Sequence, residues 1–271
     1  MIENAIVQPN ELLALIERGG VRIVDTREIL GDRDAGRAAY EAGHIPGAVR
    51  LGWLDDLSDP DDPIEGQIAP PARFAAAIER AGISNGTAVV AYDDNNLFLA
   101  ARLYWMLQYY GHNDVKVLDG GWPRWVREGY PISTEVPVVV PGRFTPAPRP
   151  ALRRTKEDVR AIVGEGVRPI LDCRWDSSYR AAGGHIPGAA HLPSTSTLSP
   201  EGTWRSPQEV AELARALGAS PDREVVLYCG GGVSACQVFL ALKMAGYQRL
   251  SVYDGSWADW STGEPAPIES H

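Results

Sequence analysis

Cysteine is scarce in this sequence, and none of it is paired. Cys173, Cys229 and Cys236 are the only three in 271 residues, with no C-x-x-C spacing and no Cys/His grouping at zinc spacing. An odd, scattered set excludes a disulfide framework and a structural metal site. Long apolar runs are missing too: nothing approaches the ~18 residues that cross a bilayer. The opening "MIENAIVQPN" carries acids where a secretory signal carries basic residues, so a cytosolic protein with no membrane partner is expected. No Lys/Arg tract or basic stripe offsets the net charge of -9, which argues against nucleic acid as a partner. Any anionic ligand must therefore be held by a local site. What the chain does have is 44% apolar residues, ample for a buried core, and length for one large domain or two ordinary ones.

Self-similarity decides between those two. "VRIVDTRE" at 21–28 returns as "RPILDCRW" at 168–175, and "YEAGHIPGAVRL" at 40–51 returns as "YRAAGGHIPGAAHL" at 179–192. A longer block at 87–125, which ends in "DGGWPRW", returns at 224–260, where it ends in "DGSWADW". All three keep their order, which indicates duplication of a domain-sized unit. Within each unit, β-branched runs such as "VRIVD", "AVVAY" and "VKVLD" alternate with amphipathic stretches such as "PARFAAAIERAG". That is the pattern of an α/β fold, here two tandem domains, each a mainly parallel sheet flanked by helices. Domains at 1–140 and 153–271 are expected, joined by a proline-rich linker at 141–152.

Duplication also sorts the polar residues. Asp25 and Asp172, His44 and His185, and Asp119 and Asp254 recur at matching positions, which fits ties within the fold better than chemistry. Differences between the copies carry more information. After the matched Tyr92 and Tyr228 the first copy runs "DDNNLF", whereas the second runs "CGGGVSAC".

Cys229 thus stands where a strand ends and a helix is about to begin, the side of a parallel sheet that binds ligands. Glycines there let the backbone curl and aim successive N–H groups at the sulfur, and the helix adds the positive end of its dipole. Such a cradle stabilises a thiolate nucleophile and could hold a second, terminal sulfur anion. Cys173, inside a strand, and Cys236, already in the helix, read as small buried residues. No Lys-Ser/Thr follows the glycines and no G-x-G-x-x-G is complete, which excludes a nucleotide loop. A cysteine phosphatase needs an arginine six residues after its thiol, where this chain has Ala235.

Together the duplicated D-x-R, "GHIPGA", "CGGGVSA" and DG-x-W motifs resemble the two-domain rhodanese superfamily of sulfurtransferases, in which the first domain is silent and the second catalytic. The loop is more similar to the C-G-S-G-V-T-A form of 3-mercaptopyruvate sulfurtransferases than to the C-R-K-G-V-T-A form of animal thiosulfate sulfurtransferases. The resemblance implies that Cys229 accepts sulfur from thiosulfate or 3-mercaptopyruvate and that the amides of Gly230, Gly231, Gly232, Val233, Ser234 and Ala235 form the cradle. It implies donor binding by Arg174 and Arg180, guanidinium groups suited to holding a carboxylate or sulfonate bidentately. His44 would be a proton-handling accessory, although Gly231 replaces its serine partner, while Ser234 matches the family threonine. Acceptors would be cyanide, thiols or a thioredoxin-like protein. No metal or organic cofactor is implied, because the protein itself carries the sulfur. The alternatives are a persulfide carrier with poor turnover of small donors and, behind it, a cysteine phosphatase.

Overall fold

The structure, a computed structural model, describes residues 5–29, 32–94, 96–166 and 169–270. The chain divides into two compact units between Pro148 and Arg149. Each contains a five-stranded sheet. In the first, β1 (Ile6–Val7), β2 (Val21–Asp25), β3 (Val49–Arg50), β4 (Ala88–Tyr92) and β5 (Val115–Leu118) lie in the order β1-β5-β4-β2-β3. In the second, β6 (Arg153–Arg154), β7 (Ile170–Asp172), β8 (Ala190–His191), β9 (Val225–Tyr228) and β10 (Leu250–Tyr253) lie in the order β6-β10-β9-β7-β8. The two orders are the same, and every pairing is parallel.

Parallel strands are covered on both faces, so they read as continuous apolar runs; β9, "VVLY", is buried at all four positions. The helices that follow the central strands, Phe98–Tyr109 and Ser234–Met244, are buried along nearly their whole length. Equivalent residues fill the two cores: Ile45, Tyr92 and Trp125 in one, Ile186, Tyr228 and Trp260 in the other. Each tryptophan donates its indole N–H to a proline carbonyl, Trp125 to Pro131 at 2.8 Å and Trp260 to Pro267 at 2.9 Å.

Residues 141–152, expected as a linker, divide between the units. Gly142 N donates to Glu79 O at 2.8 Å, Phe144 is buried with its amide on the Glu79 carboxylate, and Ala147 N donates to Tyr110 O. Pro150–Leu152 forms a helical turn leading directly into β6. Prolines kept the segment extended, but Phe144 had apolar surface to bury. No helix among the described residues is long and apolar enough to cross a membrane.

Candidate active site

The recurring residues form one knot in each unit. In register, Asp25 pairs with Tyr92 and Asp172 with Tyr228, and each tyrosine hydroxyl donates to its aspartate. The same hydroxyls accept from Ile45 N at 3.2 Å and Ile186 N at 3.1 Å, which fastens the "GHIPGA" turns to the sheets. Arg27 and Arg174 complete the knots. Arg174 Nε lies 3.0 Å from both oxygens of Asp172, its Nη2 donates to Gly184 O at 2.9 Å, and the indole of Trp257 stacks 4.5 Å away. Arg27 repeats this with Asp25, Gly43 O at 2.7 Å and Trp122 at 4.4 Å.

These contacts place Arg174 within the fold. Its side chain is 2% exposed and the carboxylate it holds is fully buried; the remaining Nη1 is buried without a partner. An arginine whose contacts are duplicated in a copy without the thiol serves the fold. A charge buried in a pair cannot leave its partner without a large desolvation penalty. Arg180 is placed differently: it is exposed in the last turn of helix Asp176–Ala181, and its side chain makes no ion pair among the described residues. Glu41 occupies the matching position in the first copy, so this positive charge belongs to the thiol-bearing copy alone.

β9 ends at Tyr228, and Cys229 follows at 2% exposure. The start of the loop is pinned by the "DGSW" segment: Trp257 N donates to Cys229 O at 3.0 Å and Ala258 N to Gly230 O at 2.9 Å. Gly232 has φ +81°, and a Cβ there would lie 2.3 Å from Asp254 O, so only glycine fits. Gly230 and Gly231 are another matter. Neither has positive φ, and a Cβ on either would meet nothing within 4 Å. The expectation that all three glycines make the curl is thus corrected to one; the other two leave the loop bare and uncharged. Helix Ser234–Met244 begins without a side-chain cap. The amides of Gly230, Gly231, Val233, Ser234 and Ala235 find no acceptor among the described residues, whereas the Ser234 hydroxyl donates to Cys173 O at 3.4 Å. Uncapped first-turn amides are a ready anion site.

The first copy fills its own loop. Asp93 stands in place of Cys229, fully buried, and its carboxylate accepts from Leu97 N at 3.0 Å and Ala100 N at 2.8 Å. Leu97 is the counterpart of Val233, whose amide is free.

His44 lies in the first unit, buried and stacked on Tyr40 at 4.1 Å. Both of its ring nitrogens face backbone carbonyls, Nδ1 that of Tyr40 at 2.8 Å and Nε2 that of Glu135 at 3.1 Å. Both nitrogens thus face backbone of the first unit. Cys173 and Cys236 are buried. Burial, followed by the neighbouring Cys229, pushes the Cys173 thiol up and keeps it protonated; Cys236 Sγ donates to Gly232 O at 3.2 Å.

Sequence reasoning missed Ser256. Its hydroxyl accepts from Cys229 N at 3.0 Å and donates to Tyr253 O at 2.8 Å. The signal was available in the change from "DGGW" to "DGSW" between the copies.

Fold and site define a class: a duplicated parallel α/β protein in which one copy presents a strand-end thiol to free loop amides and the other carries a carboxylate there. The rhodanese-like domain model matches residues 8–128 and 155–262, and the chain belongs to the rhodanese family of sulfurtransferases. It is 36% identical over 248 residues to the sulfur carrier protein TtuD of Thermus thermophilus, covering 84% of this chain and 86% of that one. It is 34% identical over 239 residues to human 3-mercaptopyruvate sulfurtransferase, covering 84% and 80%. The crystal structure of SseA from Escherichia coli, a 3-mercaptopyruvate sulfotransferase by its description, superposes with a TM-score of 0.86 at 31% identity, covering 94% of this chain and 99% of that one.

Proposed function

We propose that the protein transfers sulfane sulfur by double displacement through a persulfide on Cys229, in the cytosol. The Cys229 thiolate attacks the outer sulfur of the donor, the bond from that sulfur to the rest of the donor breaks, and the electron pair leaves with sulfite or with the enolate of pyruvate, which then takes a proton. A thiol, a thioredoxin-like dithiol or, in an assay, cyanide then removes the outer sulfur and returns the thiolate.

The observation that carries this reading is the pair of loops. An aspartate side chain and a cysteine persulfide reach out by the same number of atoms: Cγ corresponds to Sγ, and a carboxylate oxygen to the outer sulfur. The first copy's amides hold such an anion at Asp93, and the second copy's Val233 amide stands free beside Cys229. The second copy is thereby suited to an anion that arrives with the donor.

For the donor, we favour 3-mercaptopyruvate over thiosulfate. The loop "CGGGVSA" offers a dianion no cation, and Arg180 is one exposed charge suited to a single carboxylate. The likeness to a sulfur carrier protein favours a second reading, in which the persulfide forms once and passes to a protein partner with little turnover of small donors.

Intact mass after incubation with each donor tests both readings. A gain of roughly 32 Da that cyanide removes, absent in Cys229→Ser, is expected, since covalent catalysis uses one thiol. The same gain in Cys229→Ser would overturn the assignment. Steady-state rates with cyanide then separate enzyme from carrier: a full persulfide with negligible turnover favours the carrier. A kcat/KM for thiosulfate at or above that for 3-mercaptopyruvate would overturn the donor preference.

A further inference from the structure

We infer that Ser256 is a positioning residue for Cys229, acting as one extra rung of the sheet at the point where β9 and β10 part. Of the described non-glycine residues, only Asn96, Leu97 and Ser256 have positive φ, at 57°, 62° and 53°. The first two lie in the loop after Asp93; the third follows β10 and is bonded to Cys229, so each of the three lies in, or against, one of the two matching loops. A non-glycine residue holds that conformation only at a cost, and such strain persists where surrounding contacts over-determine it.

The first copy shows that the fold does not need the serine. Its counterpart there is Gly121 at φ 54°, the residue type for which this conformation is cheap. Serine at 256 therefore gives up backbone ease, and what it gains is two hydrogen bonds.

Those bonds are not a helix cap. Ser256 opens the short helix Ser256–Trp260, which has no side-chain cap, and the hydroxyl turns away from that helix to Cys229 N and Tyr253 O. Leu227 pairs in register with Val252, one residue before the strands end, and beyond them the direct ladder stops. The hydroxyl, at once donor and acceptor, spans the gap from the Tyr253 carbonyl to the Cys229 amide. The nucleophile's backbone is thereby held as part of the sheet, while the amides after it stay free. Group transfer depends on holding the reacting atom within a narrow geometry.

The inference rests on the sulfur-transfer reading above, and two variants separate it from a merely structural role. Ser256→Gly removes the hydroxyl and relieves the strain; Ser256→Ala removes the hydroxyl and keeps the strain. Both are expected to lower kcat for sulfur transfer by about tenfold, ~1.4 kcal/mol of barrier, with the donor KM within about twofold of wild type. Both are expected to slow alkylation of Cys229 by iodoacetamide to a similar degree. Their thermal midpoints should diverge, Ser256→Gly standing above Ser256→Ala. Wild-type kcat and alkylation rate in Ser256→Gly would overturn the proposal, as would losses that follow the midpoints across the two variants. If wild type forms no persulfide, the sulfur-transfer reading fails by itself, and the alkylation rates still decide whether Ser256 positions Cys229.

Discussion

The loops after β4 and β9 follow the same strand, precede the same kind of buried helix and are pinned by the same DG-x-W segment. They differ in what occupies the amides. After β4, Asp93 brings a carboxylate built into the chain, held by Leu97 N and Ala100 N. After β9, Cys229 brings a thiol one atom shorter, and the Val233 amide is unbound. A site that holds its own anion is a closed structural element, whereas one built for an anion it lacks is a site. The same contrast separates Gly121 from Ser256 and Glu41 from Arg180. Where the copies agree, as in the two Asp-Tyr-Arg knots, the residues serve the fold.

Making the second loop like the first should have the largest effect. Cys229→Asp is expected to abolish sulfur transfer, as Cys229→Ser does, but to raise the thermal midpoint above that of Cys229→Ser. The new carboxylate takes up the Val233 amide, which otherwise lacks an acceptor, and a hydrogen bond to a charged group contributes about 1.5–3 kcal/mol. A midpoint below that of Cys229→Ser would break the equivalence of the loops. Asp93→Ala, by contrast, should keep the persulfide mass gain.

Next in size are the knots. Removing one partner of a buried pair costs about 3–5 kcal/mol, so Asp25→Ala and Asp172→Ala should each lower the denaturant midpoint of their own unit by comparable amounts. A loss confined to Asp172→Ala would mean that the second knot does more than hold the fold.

A smaller effect is expected from Arg180→Ala. An exposed charge is screened and contributes about 1 kcal/mol or less. The KM for 3-mercaptopyruvate should rise about fivefold with kcat held, and Glu41→Ala should leave both unchanged. An unchanged KM in Arg180→Ala would show that Arg180 does not grip the donor's carboxylate.

The smallest change concerns Cys173, whose counterpart Thr26 donates its hydroxyl to Tyr92 O at 3.0 Å. Cys173→Thr is expected to be within about 1 kcal/mol of wild type at neutral pH, as is usual where a partner is at hand. Burial raises the Cys173 thiol in the folded state, so the unfolded chain loses its proton first. Wild type should therefore lose stability as pH climbs through about 8.5, the ordinary thiol range. Unfolding curves between pH 8 and 10 should show that decline to be shallower in Cys173→Thr; an unchanged slope would refute the assignment to this thiol.

Much of this was legible in the chain. Three repeated blocks, short apolar runs and intervening amphipathic stretches give two parallel α/β domains, because strand and helix periods are local properties that a repeat displays twice. The single thiol after "VVLY" was legible for the same reason. The contacts of Arg174 were not legible, because a guanidinium's sequence position does not say whether it faces a ligand or a neighbouring carboxylate; the structure shows it on Asp172. The glycines of "GGG" look alike in sequence, and only the nearness of Asp254 O distinguishes Gly232.

The sequence by itself thus determined the duplicated architecture and the one copy that bears a strand-end thiol. Tertiary structure decided which groups surround that thiol: Ser256, 27 residues away in the chain, bonds its amide, Arg174 is bound within the fold, and Asp93 closes the loop that Cys229 leaves open. Periodicity is written in neighbours along the chain, whereas hydrogen-bond partners are chosen by strands that meet only once the sheet has formed.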